Sequence, residues 1–147
     1  MPFQFSLRAL LRLRHIEEQR ERLRLKLLNS SRARVRHEYE EVGRAALVEF
    51  EQLDHRLRDG LAGAELLLGE NTLQASRKRR QELTALIETL ERQIQKQISS
   101  FSESQKKRKI LESLRERELR AYQQIENRRE QQRIDDAFAR RSNPHST

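Results

Sequence analysis

The sequence predicts an all-α fold, a long two-helix antiparallel coiled-coil hairpin, from three observations. Proline is absent from residues 3 to 143, three of the four glycines (Gly60, Gly63 and Gly69) fall together near the middle, and heptad-spaced apolar residues run through the second half. Proline and glycine are the residues that most reliably end a helix, so their confinement leaves two long stretches free to be helical. A two-helix hairpin has little interior in which to build a catalytic site. The informative question becomes which partner, not which reaction.

The first helix is expected over about residues 3–59, with Leu7, Leu10, Leu11, Ile16, Leu23 and Leu27 as apolar positions in its first part. In its second part Tyr39, Val42, Ala46, Phe50, Leu53 and Leu57 step by three and four, as one stripe packing along a neighbouring helix does. The turn is expected over about 60–71, with Gly60 as a left-handed cap and room for a short helical piece from Ala62 to Leu68. Asn71 with Gln74 three residues on resembles a capping box that opens the second helix, over about 72–141. There Leu83, Ile87, Leu90, Ile94 and Phe101 alternate by four and three once Gln97 is counted as a polar seam position, which is a coiled-coil heptad. The same register continues through Ser104, Arg108, Leu111, Arg115, Glu118, Tyr122, Ile125 and Arg129, so the seam turns polar toward the C-terminus. Residues 142–147 read as a frayed tail, and 1–147 as one domain. Pairing about a turn centred near residue 65 sets Phe3 beside the region of Arg128. It also brings the serine-rich segments 29–33 and 99–104 to one level as a soft belt, because Ser and Asn compete for backbone hydrogen bonds.

Composition agrees with a narrow seam. Apolar residues make up 35% and charged residues 37%, against about 45–50% and about 25% in ordinary globular domains. Lys and Arg number 31 against 23 acids, a net charge of +8 that favours acidic partner surfaces. The absence of cysteine removes disulfides, thiolate metal sites and a cysteine nucleophile. No apolar run approaches the ~20 residues that span a bilayer. The first 16 residues lack acids and resemble an Arg-rich transit peptide, but the leucine pattern runs on past Glu17, Glu18 and Glu21, so they read as the opening turns of the hairpin.

No residues are assigned to catalysis, to a cofactor or to a metal. Four scattered glycines make neither a Walker-type nor a dinucleotide loop. His15, His37, His55 and His145 are far apart and read as solvated helix residues. Adjacent Asp135 and Asp136 point in different directions on a helix and suit general acid/base work poorly. Asn29-Ser30-Ser31 matches a glycosylation acceptor by pattern only. The run Arg77-Lys78-Arg79-Arg80 ahead of a leucine heptad has the outline of a basic zipper, yet it follows Gly69 too closely to continue a basic region upstream; Lys106 to Lys109 reads as a solvated face. Nucleic acid is not an expected partner.

The two ends carry a family likeness. The opening FQFSLRALLRLRHIEEQRE, with alternating Phe3 and Phe5 followed by Leu7, Leu10 and Leu11, resembles the start of FliJ proteins. The closing LRERELRAYQQIENRREQQRIDDAFARR, residues 114–141, is similar to that family's end through Tyr122, Glu126 and Ile134-Asp135-Asp136. The resemblance implies a non-enzymatic stalk of the flagellar type III export apparatus, an antiparallel coiled coil similar to the gamma subunit of rotary ATP synthases. Its implied partners are a FliI-like export ATPase hexamer, a FlhA-like export gate and the export chaperones. It also implies a cytoplasmic location, peripheral at the inner face of the bacterial cell membrane through those partners. Carried onto this chain, the gate patch falls on Leu86, Leu90, Gln93 and Gln97, and the ring-facing terminal surface on Phe3, Phe5, Leu7, Tyr122, Ile125, Asp135 and Asp136. Leu90 reads first as a position of the hairpin's own seam, and Leu86 and Gln93, outside the strict seam, are the better gate candidates. The equivalent stalk of a virulence-type secretion system and a basic coiled-coil nucleic-acid binder are the alternatives.

Overall fold

The structure is a computed structural model that describes residues 2–142. Two α-helices, α1 (Arg8–Arg58) and α2 (Gly63–Ser142), pack against each other antiparallel, and the described residues include no strand. The sequence reading takes residues 1–147 as one domain; contacts divide the hairpin into two units. One is Arg20–Phe101, which contains the turn. The other joins the described residues up to Gln19 to those from Ser102 onward. The expected frayed tail lies outside the described residues except for Ser142, which closes α2, and so does His145.

In Arg20–Phe101 the turn is shorter than expected. Asp59 to Ala62 alone separate the helices, and Gly60 takes φ 91°, the left-handed conformation expected of a helix cap. The Ala62 carbonyl accepts from the amide of Leu66 at 3.1 Å and so starts α2 well before the expected residue 72. The glycines at 63 and 69 therefore do not break the chain. Gly63 opens the helix, the good formers Ala64 to Leu68 carry it forward, and Gly69 is a contact point: a Cβ there would stand 2.8 Å from Leu53 Cδ1. The Asn71–Gln74 pair lies inside α2, not at a cap.

The shorter turn moves the pairing. Arg22 lies over the Phe101 ring, 5.6 Å from its centroid, and Arg32 borders the α2 stretch from Glu88 to Lys96. The two serine-rich segments therefore sit at different levels and form no shared belt. On α2 the heptad seam extends upstream through Leu73, Gly69 and Leu66. On α1 the seam takes Leu25, Leu28, Val35, Tyr39, Val42, Ala46, Glu49 and Leu53. Phe50 and Leu57, expected on that stripe, are 56% and 47% exposed. The reason is the strict alternation of three and four between paired helices, which carries Ala46 to half-buried Glu49 and then Leu53.

In the second unit the chain enters as non-helical residues 2–5, so α1 begins at Arg8 and not near Phe3. The alternation of Phe3 and Phe5 explains this start. Phe5 is buried at 6% exposure, and Phe3 meets Tyr122 with ring centroids 5.6 Å apart and planes tilted by 48°, where the sequence reading had placed it beside the region of Arg128. The amide of Arg8 donates to the Phe5 carbonyl at 3.2 Å and fixes the entry into the helix. Among the described residues of this unit Leu111 is the other buried apolar side chain.

Candidate partner-binding site

The gate-type residues lie on the α2 part of Arg20–Phe101, and the seam divides them into two pairs. Leu90 is 9% exposed, within the same buried row as Leu83 (1%) and Ile94 (4%). Gln97 is held from the other side: its Nε2 donates to the Glu21 backbone carbonyl at 3.0 Å and also to the Glu21 carboxylate. Both side chains are thus occupied within the hairpin. Leu86, at 45% exposure, and Gln93 face solvent. Their spacing of seven puts them on one face of the helix, and Thr89 between them turns its hydroxyl back to the Ala85 carbonyl at 3.1 Å.

The basic run Arg77 to Arg80, well inside this helix, is partly consumed by the hairpin. Arg79 donates to Glu38 of α1 at 2.5 Å and to Glu82 at 3.4 Å, and hydrogen bonding to Glu38 is the main cause that holds its guanidinium above its already high ordinary value. Arg80 lies 4.2 Å from the centroid of the Tyr39 ring, with its buried Nε lacking a hydrogen-bond partner. Gly43 makes room for it, since a Cβ there would come within 3.1 Å of the guanidinium. Two of the four cations therefore serve internal contacts, which removes half of the outline of a basic zipper.

The terminal unit holds a charged seam. Glu18, 3% exposed, accepts hydrogen bonds from Nε and Nη2 of Arg108, and Arg108 Nη1 donates to Glu112 at 2.7 Å. The Glu18 hydrogen bond, followed by the Glu112 one, raises the Arg108 guanidinium above its ordinary value. His15 Nε2 lies 3.4 Å from the same Glu112, a pair that is ionic only when the imidazole is protonated. Sequence reasoning put Arg108 in the seam and missed Glu18, because it followed the more apolar Ile16 and Leu23; the signal was the spacing of Glu18 from Leu11 and Leu25 by one heptad on either side.

Of the ring-facing candidates, the structure brings Phe3 to Tyr122 and buries Phe5. Leu7 and Ile125 stay 37% and 49% exposed. Asp135 and Asp136 fall in residues 127–142, all of which are exposed; Asp135 accepts from Gln131 Nε2 at 3.0 Å. The same stretch carries Ile134 at 54% and Phe138 at 73% exposure, one helical turn apart. Among the described residues no group of three or more His, Cys, Asp or Glu side chains is placed to hold a metal ion, and no helix is long and apolar enough to cross a membrane.

No curated protein matches the chain, and no solved structure does. A family model described as "Flagellar FliJ protein" matches residues 3–145, from Phe3 to beyond the end of α2. With that match spanning both helices and both of the end segments that carried the likeness, the chain belongs to the FliJ family of flagellar protein export.

Proposed function

We propose that this protein is the non-enzymatic stalk of a flagellar type III export apparatus, coupling an export ATPase ring to the export gate and to substrate chaperones. The single observation that carries this reading is the family match over residues 3–145. A pair of helices with a narrow seam and exposed apolar side chains at Leu86, Ile134 and Phe138 is in keeping with a part that works by contact. ATP chemistry belongs to the ring, and the protein is cytoplasmic and peripheral to the membrane through its partners. Phe3, Leu7, Tyr122, Ile125, Asp135 and Asp136 form the surface offered to the ring, and buried Phe5 supports it from within the seam.

The test is the ATP hydrolysis rate of the co-encoded hexameric export ATPase with and without the purified chain. The proposal expects stimulation, and an unchanged rate overturns it. At the gate patch, Leu90 and Gln97 act by holding the seam, while Leu86 and Gln93 make the contact. Replacing both of the latter (Leu86→Asp with Gln93→Asp) leaves helicity and melting nearly unchanged and weakens binding to the cytoplasmic portion of the gate protein. Undiminished binding by that variant removes the gate assignment.

A further inference from the structure

Between Glu21 and Glu38 lie sixteen residues without an acid, six of them Arg or Lys. The seam takes Leu25, Leu28, Arg32 and Val35 from this stretch of α1. The outward face, followed at helical spacings of three and four, carries Arg20, Leu23, Lys26, Leu27, Ser30 and Arg34, all exposed. Leu23 and Leu27 are 56% and 58% exposed, side by side one turn apart. Nearby cations are already engaged: Arg24 with Glu21 at 3.3 Å, Arg36 with Glu91 at 2.9 Å, and Arg32 with the Asn29 side chain at 3.3 Å. Arg20, Lys26 and Arg34 make no ion pair among the described residues. The result is a leucine pair framed by cations whose charge nothing on the hairpin offsets.

We propose that this outward face of α1, from Arg20 to Arg34, docks an amphipathic helix of a partner protein that presents leucine-sized side chains flanked by Asp or Glu. Charge complementarity selects the acid, because three unoffset cations on one face repel any basic occupant and steer an acidic one. The leucines select a protein helix. The face extends about 21 Å along α1 at 1.5 Å per residue, four turns of a partner helix. A phosphate backbone gains nothing from aliphatic side chains, and this face carries no aromatic on which bases stack. Two leucines without an aromatic make too narrow an apolar stripe to seat a helix in lipid. The inference stands independently of the stalk reading, since it concerns a face that neither the gate patch nor the terminal surface uses.

The experiment titrates the isotopically labelled full chain with a designed four-turn peptide helix carrying leucines at i and i+4 within a frame of glutamates. Binding is expected to shift amide signals of residues 20–34 and to weaken steeply as salt rises from about 50 to about 500 mM. Reversing the cations (Arg20→Glu, Lys26→Glu, Arg34→Glu) is expected to weaken binding about tenfold or more, and Arg117→Glu on the other unit to leave it unchanged. Leu23→Gln with Leu27→Gln is expected to weaken it about tenfold as well, with far-UV helicity intact because both side chains are exposed. The proposal is overturned if leucine-free polyglutamate binds as tightly, if the leucine variant binds undiminished, or if the shifts fall outside residues 20–34. Tighter binding of phosphatidylglycerol vesicles or duplex DNA, abolished by the same charge reversals, overturns it in favour of a lipid or nucleic-acid face.

Discussion

Glu18 and Arg108 show how a two-helix seam tolerates charge. The Glu18 side chain is 4% exposed and that of Arg108 17%, so the pair is mostly shielded from water, and Glu112 takes up a further guanidinium N–H. Removing Arg108 takes two hydrogen bonds from Glu18 in a shielded site, whereas replacing both leaves a hydrophobic seam position on each helix. Arg108→Leu is therefore expected to destabilise the fold by about 3 kcal/mol, and Glu18→Leu added to it to recover most of the loss, as measured by denaturant melts of the two variants. The pH dependence follows from the sign of the Arg108 shift. Its folded value is raised above its unfolded one, so its contribution is fully present below the unfolded value and fades only as pH rises through the folded value, in strongly alkaline solution. Between about pH 8 and pH 10 the difference between wild type and Arg108→Leu is expected to stay constant, and a gap that closes over that range contradicts this origin.

Helix ends and helix pairing rest on particular glycines, each for a different reason. Gly60 holds a positive φ with nothing within 4 Å of an added Cβ, so Gly60→Ala is expected to cost about 1 kcal/mol through backbone strain alone. Gly69 is helical, and replacing it with Ala improves propensity by about 1 kcal/mol, yet the new Cβ meets Leu53 at 2.8 Å. Gly69→Ala is expected to give a net loss of about 1 kcal/mol as Leu53 is forced off its rotamer, and Gly63→Ala, with open space around it, a gain of a few tenths. Thermal melts of the three single variants check the order Gly63→Ala, wild type, then the other two. These glycines also mark how far the sequence was legible. Heptad spacing revealed two antiparallel helices and the α2 seam from Leu83 to Leu111, because a period of three and four leaves a pattern in the apolar residues. The pairing was not legible, since it depends on a turn four residues long followed by two glycines, Gly63 and Gly69, that are helical, and one reads as a breaker what packing uses as a gap. The α1 seam was half legible for a related reason: Glu18, Glu21 and Glu49 occupy positions that a search for apolar stripes passes over in favour of Ile16, Leu23 and Phe50. Of the gate-type residues, spacing placed Leu90 and Gln97 in the seam and left Leu86 and Gln93 outside it, as the burial has it.

For the molecule as a whole, charge governs what it meets. A net charge of +8 draws any polyanion at low salt. With Arg79 and Arg80 committed to Glu38 and Tyr39, the basic run of α2 offers a phosphate backbone only Arg77 and Lys78, and duplex DNA held on a column at about 50 mM salt is expected to be released by about 150 mM. Retention at that salt contradicts a protein-directed role. The buried carboxylate of Glu18 has one more consequence, for sliding. Leucine heptads match again after a shift of seven residues, so apolar packing alone distinguishes poorly between neighbouring alignments of α1 and α2. A slip of one heptad toward the turn takes Glu18 away from Arg108 and Glu21 away from Gln97, a cost of about 1–3 kcal/mol in lost charge-assisted hydrogen bonds. In the opposite sense the left-handed Gly60 fixes where the chain reverses. The acid works as a pawl: it adds little to the strength of the pairing, but under a sideways load it lets the helices hold one alignment.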